Sequence, residues 1–285
     1  MSNINFQYIE NQISGLKDYN NVDNFVLGKS SLGKEVMCFH IGDYSNNQII
    51  VEGGIHAREY ISTLLLIEQI KYLSAKTIKG GIYFVPLVNP DGVELVLDGL
   101  KNIKDTKLKQ FLLNVNNQKE DFSLWKANIK GVDLNVNFDA LWGKGVKNVR
   151  YISAENFIGF YPNSEVEVQN LIKLLNKVNP IGTLSFHSKG EVIYYGFETL
   201  ENWQIIRDYM ICEKLCKLNG YISIKTEKST GGFSDYVSQK LGVPAFTVEL
   251  GNNKLKHPIG LDSLNEIFNK NKDLPLKFLE ILIEK

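Results

Sequence analysis

Short apolar runs alternate with longer amphipathic stretches along most of the chain. The short runs are rich in β-branched and aromatic residues, which favour strands. They predict strands at 36–41, 48–52, 82–88, 181–186, 192–195, 221–226 and 245–250. Apolar residues at helical spacing predict helices at 60–75, 164–179, 200–218 and 233–241, and another near the C-terminus. This alternation predicts an α/β fold with a mixed sheet.

Two of the predicted helices carry boundary signals. Ser164-x-x-Glu167 matches a capping box, so it predicts the start of the helix that ends before Pro180. Pro275 stands at an early position of the C-terminal helix, where its missing N–H costs little.

Two segments show little periodicity. Residues 1–35 predict an N-terminal helix and loop that lead into the first strand. Residues 90–161 are rich in Asn, Gly and Lys, and loops of this length in a compact domain usually carry function. We therefore expect long loops around a substrate site in this segment.

Composition limits the class of protein. A chain of 285 residues with 44% hydrophobic content and no low-complexity linker predicts one domain over 1–285. The 32 basic and 32 acidic residues cancel, so bulk charge gives no support to nucleic-acid or anionic-membrane binding. There is no run of roughly 20 apolar residues and no signal-peptide pattern, so we expect no membrane span and a cytoplasmic location. Three cysteines do not form a disulfide framework.

A candidate metal-binding pattern follows the predicted strand at 48–52. His56-x-x-Glu59 lies on the turn between that strand and the next helix. A histidine and a carboxylate at this spacing can contact one cation, which would supply two of the three protein ligands of a catalytic zinc. The alternative is a surface turn with an incidental His and Glu, and the short pattern alone does not separate the two.

Three later stretches complete a recognisable set. They are Lys126 to Asn135, which contains Gly-Val-Asp133-Leu-Asn135, then Ser185-Phe-His187-Ser, and Phe246-Thr-Val-Glu249-Leu. With His56-x-x-Glu59 they resemble the zinc metallocarboxypeptidase family over roughly residues 18–260. The resemblance implies a three-layer α/β/α sandwich with a mixed, mostly parallel sheet of about eight strands. It also implies one zinc ion per chain.

The resemblance assigns roles to the matching residues. His187 matches the third zinc ligand, beside His56 and Glu59; a lone histidine after a strand is more often a core or surface histidine satisfied by the backbone. Glu249 matches the general base that acts on the zinc-polarised water, and a carboxylate in this apolar strand should have a raised pKa. Its alternative is an edge-strand salt bridge.

Two further positions match groups around the metal and the substrate. Asp133 matches the carboxylate that accepts the remaining N–H of the first zinc histidine. Asn135 matches an asparagine that binds substrate.

Three positions depart from the family pattern. Val136 stands where the family usually has an arginine that grips the substrate's terminal carboxylate, so ordinary C-terminal trimming is not expected. Lys126 replaces an arginine that polarises the scissile carbonyl, and it keeps the charge without the planar fork. Glu227 stands where a mobile tyrosine is common. Arg150, Lys189 and Lys147 are candidates for the lost anion grip, and Arg150 is also, with Lys126, a candidate to steady the oxyanion.

One branch of the family fits these departures best. Trp125-Lys-Ala-Asn128, His187-Ser-Lys-Gly190 and Gly231-Gly-Phe-Ser-Asp235 resemble bacterial peptidases that cut γ-D-glutamyl-diaminopimelate bonds in cell-wall peptides. Asp235 and Glu227 are then candidates to bind the diaminopimelate amine.

The leading hypothesis is a zinc peptidase acting on a carboxylate-rich stem peptide. The alternatives are a non-hydrolytic zinc-containing muropeptide-binding protein and a zinc amidohydrolase acting on N-acyl amino acids. The oligomeric state stays open.

Overall fold

One mixed sheet runs through the molecule. The computed structural model describes residues 4–284, so the first three residues of the predicted lead-in and Lys285 lie outside it. The strands of the described part are β1 (Asp23–Lys29), β2 (Glu35–Gly42), β3 (Gln48–Gly53), β4 (Gly81–Val85), β5 (Gly182–Ser188), β6 (Val192–Tyr195), β7 (Ile222–Lys225) and β8 (Ala245–Leu250). Their spatial order is β1-β2-β4-β3-β5-β8-β6-β7. The central strands β4, β3, β5 and β8 are mutually parallel.

Helices cover both faces of this sheet. Within residues 4–284 they are α1 (Phe6–Gly15), α2 (Ile61–Leu73), α3 (Pro90–Asp98), α4 (Thr106–Val115), α5 (Val166–Val178), α6 (Asn202–Asn219), α7 (Phe233–Leu241), α8 (Leu264–Asn271) and α9 (Leu274–Ile283). Helices α1, α2, α6, α8 and α9 share one apolar core with the sheet. Helices α5 and α7 share a second core on the opposite face. This arrangement confirms the α/β/α sandwich with a mixed sheet.

The alternation of side chains along the central strands separates the two cores. Ile49 and Val51 of β3 pack with the α2 side, whereas Ile50 between them packs with the α5 and α7 side. Both faces of the central strands are covered, so β3 and β4 contain continuous apolar runs, at residues 49–51 and 82–85, whereas β5 and β8 have polar residues at alternate positions on the face toward α5 and α7. Strand β8 follows the same rule, with Phe246 and Val248 on the α2 side. Glu249 therefore belongs to the other face.

The prediction missed strand β1. Residues 23–29 were expected to be part of an N-terminal helix and loop, but they pair antiparallel with β2. Strand β1 lies at the edge of the sheet and its residues are exposed or half-buried, so its apolar signal is limited to the three residues at 25–27. The α1 part of the predicted lead-in is confirmed. Strand β4 ends at Val85, three residues before the predicted end.

The long segment at 90–161 is also more ordered than expected. Helix α3 begins after Asn89, whose side chain accepts from the N–H of Gly92, and helix α4 begins after Asp105, whose side chain caps it likewise. Both helices are short, and α4 has few buried residues, which left little periodic signal. From about residue 116 to the start of α5 the backbone is mostly irregular, with a short 3-10 turn at Leu134–Val136.

The capping box predicted for α5 is wrong, although the helix itself is confirmed. Helix α5 begins after Glu165, and no side chain caps it. The hydroxyl of Ser164 instead donates to Oε1 of Glu165, and Glu167 accepts from the N–H of Ser31. Glu167 thus bonds to a residue distant in sequence instead of to Ser164, as the capping box predicts. Within residues 4–284, none of the helices combines the length and apolarity needed to cross a bilayer.

Candidate active site

Polar side chains gather at the carboxyl ends of the parallel strands β3, β5 and β8. In the pairing of β5 with β8, His187 lies opposite Glu249. In the pairing of β3 with β5, Glu52 lies opposite Ser185. Ser185 and His187 are two residues apart and therefore share the face of the sheet that packs with α5 and α7. The carboxyl ends of parallel strands are the usual place for a ligand site in open α/β sheets.

The turn after β3 holds His56 and Glu59. Gly54 begins this turn with φ +63°, a conformation that favours glycine. Its N–H donates to the hydroxyl of Ser62 at 2.9 Å, and that hydroxyl donates to the carbonyl of Glu59 at 2.7 Å. The N–H of Ala57 also donates to the carbonyl of Lys126 at 3.1 Å. These bonds fix the 3-10 turn at Ala57–Glu59 that leads into α2.

Three donor atoms meet at this turn. Nδ1 of His56 lies 3.1 Å from Oε2 of Glu59 and 3.0 Å from Nδ1 of His187, and the distance from His187 Nδ1 to Glu59 Oε2 is 3.1 Å. Donor atoms bound tetrahedrally to zinc at about 2.0–2.1 Å stand about 3.3 Å apart. All three residues are at most 5% exposed. The donor set is His₂Glu, that of a catalytic zinc with an open fourth position, so these residues fit zinc.

Electrostatics favour the ionised form of Glu59. Burial opposes ionisation, but the neighbouring imidazoles of His56 and His187 outweigh it and hold the pKa of Glu59 well below its usual range. The N–H of Ser188 also donates to Glu59 Oε2 at 3.1 Å. A carboxylate that stays ionised at this position is ready to bind a cation.

Glu249 has the opposite tendency. Burial raises its pKa, the nearby charge of Glu59 raises it further, and the histidines and Lys126 only partly compensate. Among the described residues its Oε2 has no hydrogen-bond partner. It lines the same cavity as His56 and His187. A carboxylate with a raised pKa beside a metal site suits proton transfer.

Asp133 links the site to the loop segment. Its Oδ1 lies 3.2 Å from Nε2 of His56, an ion-pair distance without hydrogen-bond alignment. Its Oδ2 lies 2.7 Å from the ammonium of Lys126 and accepts from the N–H of Asn156 at 3.0 Å. Burial opposes the ionisation of Asp133, but Lys126 and His56 outweigh it and hold its pKa well below the usual range. The carboxylate is thus ionised on the far side of the first histidine.

A cavity of about 380 Å³ opens beside these groups. Its wall combines charged, amide and hydroxyl side chains with a few apolar ones. The lining includes His56, Lys126, Asn135, Val136, Lys147, His187, Tyr194, Glu227, Lys228, Ser234, Asp235, Thr247 and Glu249.

Of the predicted substrate residues, Asn135 contacts the start of helix α7 and Asp235 lies within its first turn. Oδ1 of Asn135 accepts from the N–H of Phe233 at 2.9 Å, and its Nδ2 lies 3.5 Å from Nε2 of His187. Asp235 accepts from the N–H of Gly232 at 3.0 Å. Burial raises the pKa of Asp235 to about 7. Glu227 is exposed at the rim of the cavity.

Two other predicted residues are not brought to the cavity wall. The guanidinium of Arg150 lies 3.5 Å from the carbonyl of Gly143 and near the ring of Trp142. The ammonium of Lys189 donates to the carbonyl of Asn253 at 2.9 Å. Lys147, the third candidate for the anion grip, does line the cavity. The predicted roles of Arg150 and Lys189 therefore have no support from their positions.

The sequence did not predict that Glu52 and Ser185 contact each other behind His187. Both are buried, and the hydroxyl of Ser185 donates to Oε1 of Glu52 and lies 3.0 Å from Nε2 of His187. The available signal was a glutamate inside the apolar run at 48–52, where a charged residue is rare without a partner.

Comparisons with known proteins point to one family. The family model for zinc carboxypeptidases matches residues 10–270. γ-D-glutamyl-L-diamino acid endopeptidase 1 of Lysinibacillus sphaericus is 31% identical over 285 residues, which cover 94% of this chain and 70% of that protein. Murein peptide amidase A of Escherichia coli (strain K12) is 28% identical over 167 residues, 56% of this chain and 57% of the relative.

A solved structure extends the comparison to the fold. Bovine thrombin-activatable fibrinolysis inhibitor, in complex with tick carboxypeptidase inhibitor, superposes with a TM-score of 0.76 at 18% identity. The match covers 98% of this chain and 95% of the bovine chain. At this identity the likeness concerns the fold.

Proposed function

This chain belongs to the zinc carboxypeptidase family and is a zinc peptidase, and from that premise we propose that it hydrolyses γ-D-glutamyl–diamino acid bonds in peptidoglycan stem peptides. One observation carries the hydrolytic part of the proposal. The ligand atoms of His56, Glu59 and His187 converge beside Glu249, whose pKa is raised, at one end of a cavity. We propose one zinc ion per chain, because the described residues form a single such ligand group.

The residues of the chain divide the chemistry among them. Zinc, when bound by the three ligands, supplies Lewis-acid chemistry that polarises a carbonyl and activates water. Glu249 accepts a proton from the attacking water and later delivers it to the nitrogen of the leaving amine. The ammonium of Lys126 lines the cavity and stabilises negative charge that develops on the carbonyl oxygen. Asn135 stands beside His187 and orients the peptide.

The charges around the cavity favour a substrate that carries both signs. Lys126, Lys147 and Lys228 supply positive charge for carboxylates, and Asp235 and Glu227 supply negative charge for an amine. Val136 lies on the wall at the position where the family usually has a carboxylate-binding arginine. A stem peptide with a diamino acid carries several carboxylates and an amine. The name of the Lysinibacillus relative describes a bond of this class.

Product analysis tests the proposal. The zinc-loaded protein would be incubated separately with L-alanyl-γ-D-glutamyl-diaminopimelate, with its α-linked L-glutamyl isomer, and with an N-acyl amino acid. We expect mass spectrometry to show release of diaminopimelate from the first peptide and little cleavage of the other two. Preferred cleavage of the N-acyl amino acid would favour an amidohydrolase. Tight binding of the γ-linked peptide without products at any pH would favour a binding protein.

A further inference from the structure

A chain of hydrogen-bonded side chains lies buried behind the second zinc histidine, His187. Nε2 of His187, on the side of the ring away from Glu59, lies 3.0 Å from the hydroxyl of Ser185. That hydroxyl donates to Oε1 of Glu52. Exposure of the three side chains is 2% for His187, 1% for Ser185 and 0% for Glu52. Glu52 and Ser185 therefore lie in the interior behind His187, which itself lines the cavity that receives substrate.

The sheet itself builds this chain. Glu52 and Ser185 are direct neighbours across the parallel strands β3 and β5, and His187 follows Ser185 on the same face. Ser185 uses its single proton toward Glu52, so its oxygen is left to accept a hydrogen bond. With its proton on Nε2, the imidazole donates to this oxygen at 3.0 Å, while the amide nitrogen of Asn135 lies farther from Nε2, at 3.5 Å. This leaves Nδ1, the atom that faces Glu59 and His56, free to bind a metal.

The arrangement matches what surrounds the first histidine. Nε2 of His56 has the carboxylate of Asp133 at 3.2 Å, and Nε2 of His187 has the carboxylate of Glu52 one hydroxyl further away. A carboxylate behind a metal-bound histidine fixes its tautomer and raises its basicity. Among the described residues the other oxygen of Glu52, Oε2, has no hydrogen-bond partner. Ser185 is therefore the one hydrogen-bond partner of this carboxyl group among the described residues.

We propose that Glu52 acts through Ser185 as a positioning residue, which holds His187 in the tautomer and orientation that bind zinc through Nδ1. The inference rests on the proposed function because it needs zinc at His56, Glu59 and His187. It adds two residues that contact neither the substrate cavity nor the metal. We call this chain the Glu52–Ser185–His187 relay.

Zinc affinity measured by competition with a chromophoric chelator tests the relay. We expect Ser185→Ala to weaken zinc binding by about 10- to 100-fold, the usual effect of removing such a partner. Glu52→Gln should weaken it about threefold to tenfold, since an amide oxygen still accepts from Ser185 but carries no charge. Burial raises the pKa of Glu52, so ionising it in the interior costs free energy, and an amide without this cost should fold at least as well as the parent.

Thr183→Val is the matched control. Thr183 lies two residues before Ser185 on the same face of β5, is fully buried, and has no hydrogen-bond partner for its hydroxyl among the described residues. Its replacement should leave zinc affinity within about twofold of the parent. A general disturbance of β5 would weaken zinc binding in this variant too.

Two further measurements separate positioning from packing. In the double variant Ser185→Ala with Glu52→Gln, zinc affinity should equal that of Ser185→Ala alone, because the carboxyl group acts through the hydroxyl. In nitrogen-15 spectra of the zinc-loaded parent, the Nε2 of His187 should be protonated, and its resonance should shift in Ser185→Ala.

Several results would overturn the relay. Zinc affinity equal to that of the parent in both Ser185→Ala and Glu52→Gln would do so. A loss of affinity in the double variant equal to the product of the two single losses would also do so. An equal loss of affinity in Thr183→Val would have the same consequence. Failure of the parent to bind zinc would remove both the relay and the proposed function. If zinc affinities follow the expected pattern but no γ-D-glutamyl peptide is cleaved, the relay stands and the substrate assignment falls.

Discussion

The ammonium of Lys126 lies 2.7 Å from Oδ2 of Asp133, whose other oxygen faces His56 at 3.2 Å. Lys126 therefore has a partner other than substrate. Asp133 is fully buried, and without the lysine its charge would have only His56 and backbone N–H groups as partners. The same lysine lines the cavity, so it connects the substrate site with the support of the first zinc ligand.

Replacement of Lys126 should damage more than catalysis. We expect Lys126→Met to lower the free energy of unfolding by about 3 kcal/mol, because it leaves a buried charge uncompensated. It should also weaken zinc binding, since Asp133 loses one of the two groups that favour its ionised form beside His56. Denaturant unfolding and chelator competition measure the two effects. Lys126→Arg, which keeps the charge, is the control; unchanged stability and zinc affinity in Lys126→Met would contradict this role.

Lys147, rather than Arg150, is expected to contact a substrate carboxylate. Lys147 lines the cavity, whereas Arg150 is held near Gly143 and Trp142. We expect Lys147→Ala to raise KM for the γ-linked tripeptide about tenfold, equivalent to about 1.4 kcal/mol of binding, with little change in kcat. Arg150→Ala removes an equally cationic side chain from the same segment and should change KM less than twofold. The reverse ranking in steady-state kinetics would show that Arg150 reaches the substrate.

The preference of the enzyme for peptides that contain a diamino acid should depend on pH through the ionisation of Asp235. Burial raises its pKa to about 7, so the carboxylate forms as the pH rises through neutrality. Only the ionised form attracts the substrate's ammonium group. The ratio of kcat/KM for the diaminopimelate peptide to that for a norleucine peptide should therefore rise roughly tenfold between about pH 6 and about pH 8.

Asp235→Asn provides the control for that profile. An asparagine oxygen can still accept from the N–H of Gly232, so helix α7 should keep its start. The ratio should become low and independent of pH, because the other ionising groups act on both peptides alike. A parental slope in this variant would remove Asp235 from amine recognition.

The pattern of apolar residues located the buried strands and helices best. The central strands and α7 lie close to their predicted positions, because these segments are buried on one or both faces and have clear boundaries. The α/β class, the mixed sheet and the family are confirmed. Strand β1 and helices α3 and α4 were missed, since β1 and α4 are edge or surface elements with little apolar signal and α3 is only nine residues long.

The candidate site also has a part that the sequence predicted and a part that it did not. His56 and Glu59 are local neighbours, and His187 and Glu249 end two predicted strands, so their meeting could be anticipated from the motifs and the family resemblance. The pairing of Glu52 with Ser185 depends on which strands are adjacent and in what register, and a single sequence does not specify either. The positions of Arg150 and Lys189 depend on irregular loops, where motif order is a poor guide to distance.

The most direct test concerns Glu249. In Glu249→Gln the three zinc ligands are untouched, but the side chain can no longer accept the proton from water. We expect this variant to retain about one zinc per chain by metal analysis and to hydrolyse the γ-D-glutamyl tripeptide at least about 100-fold more slowly than the parent. Turnover at the parental rate with zinc still bound would contradict the mechanism.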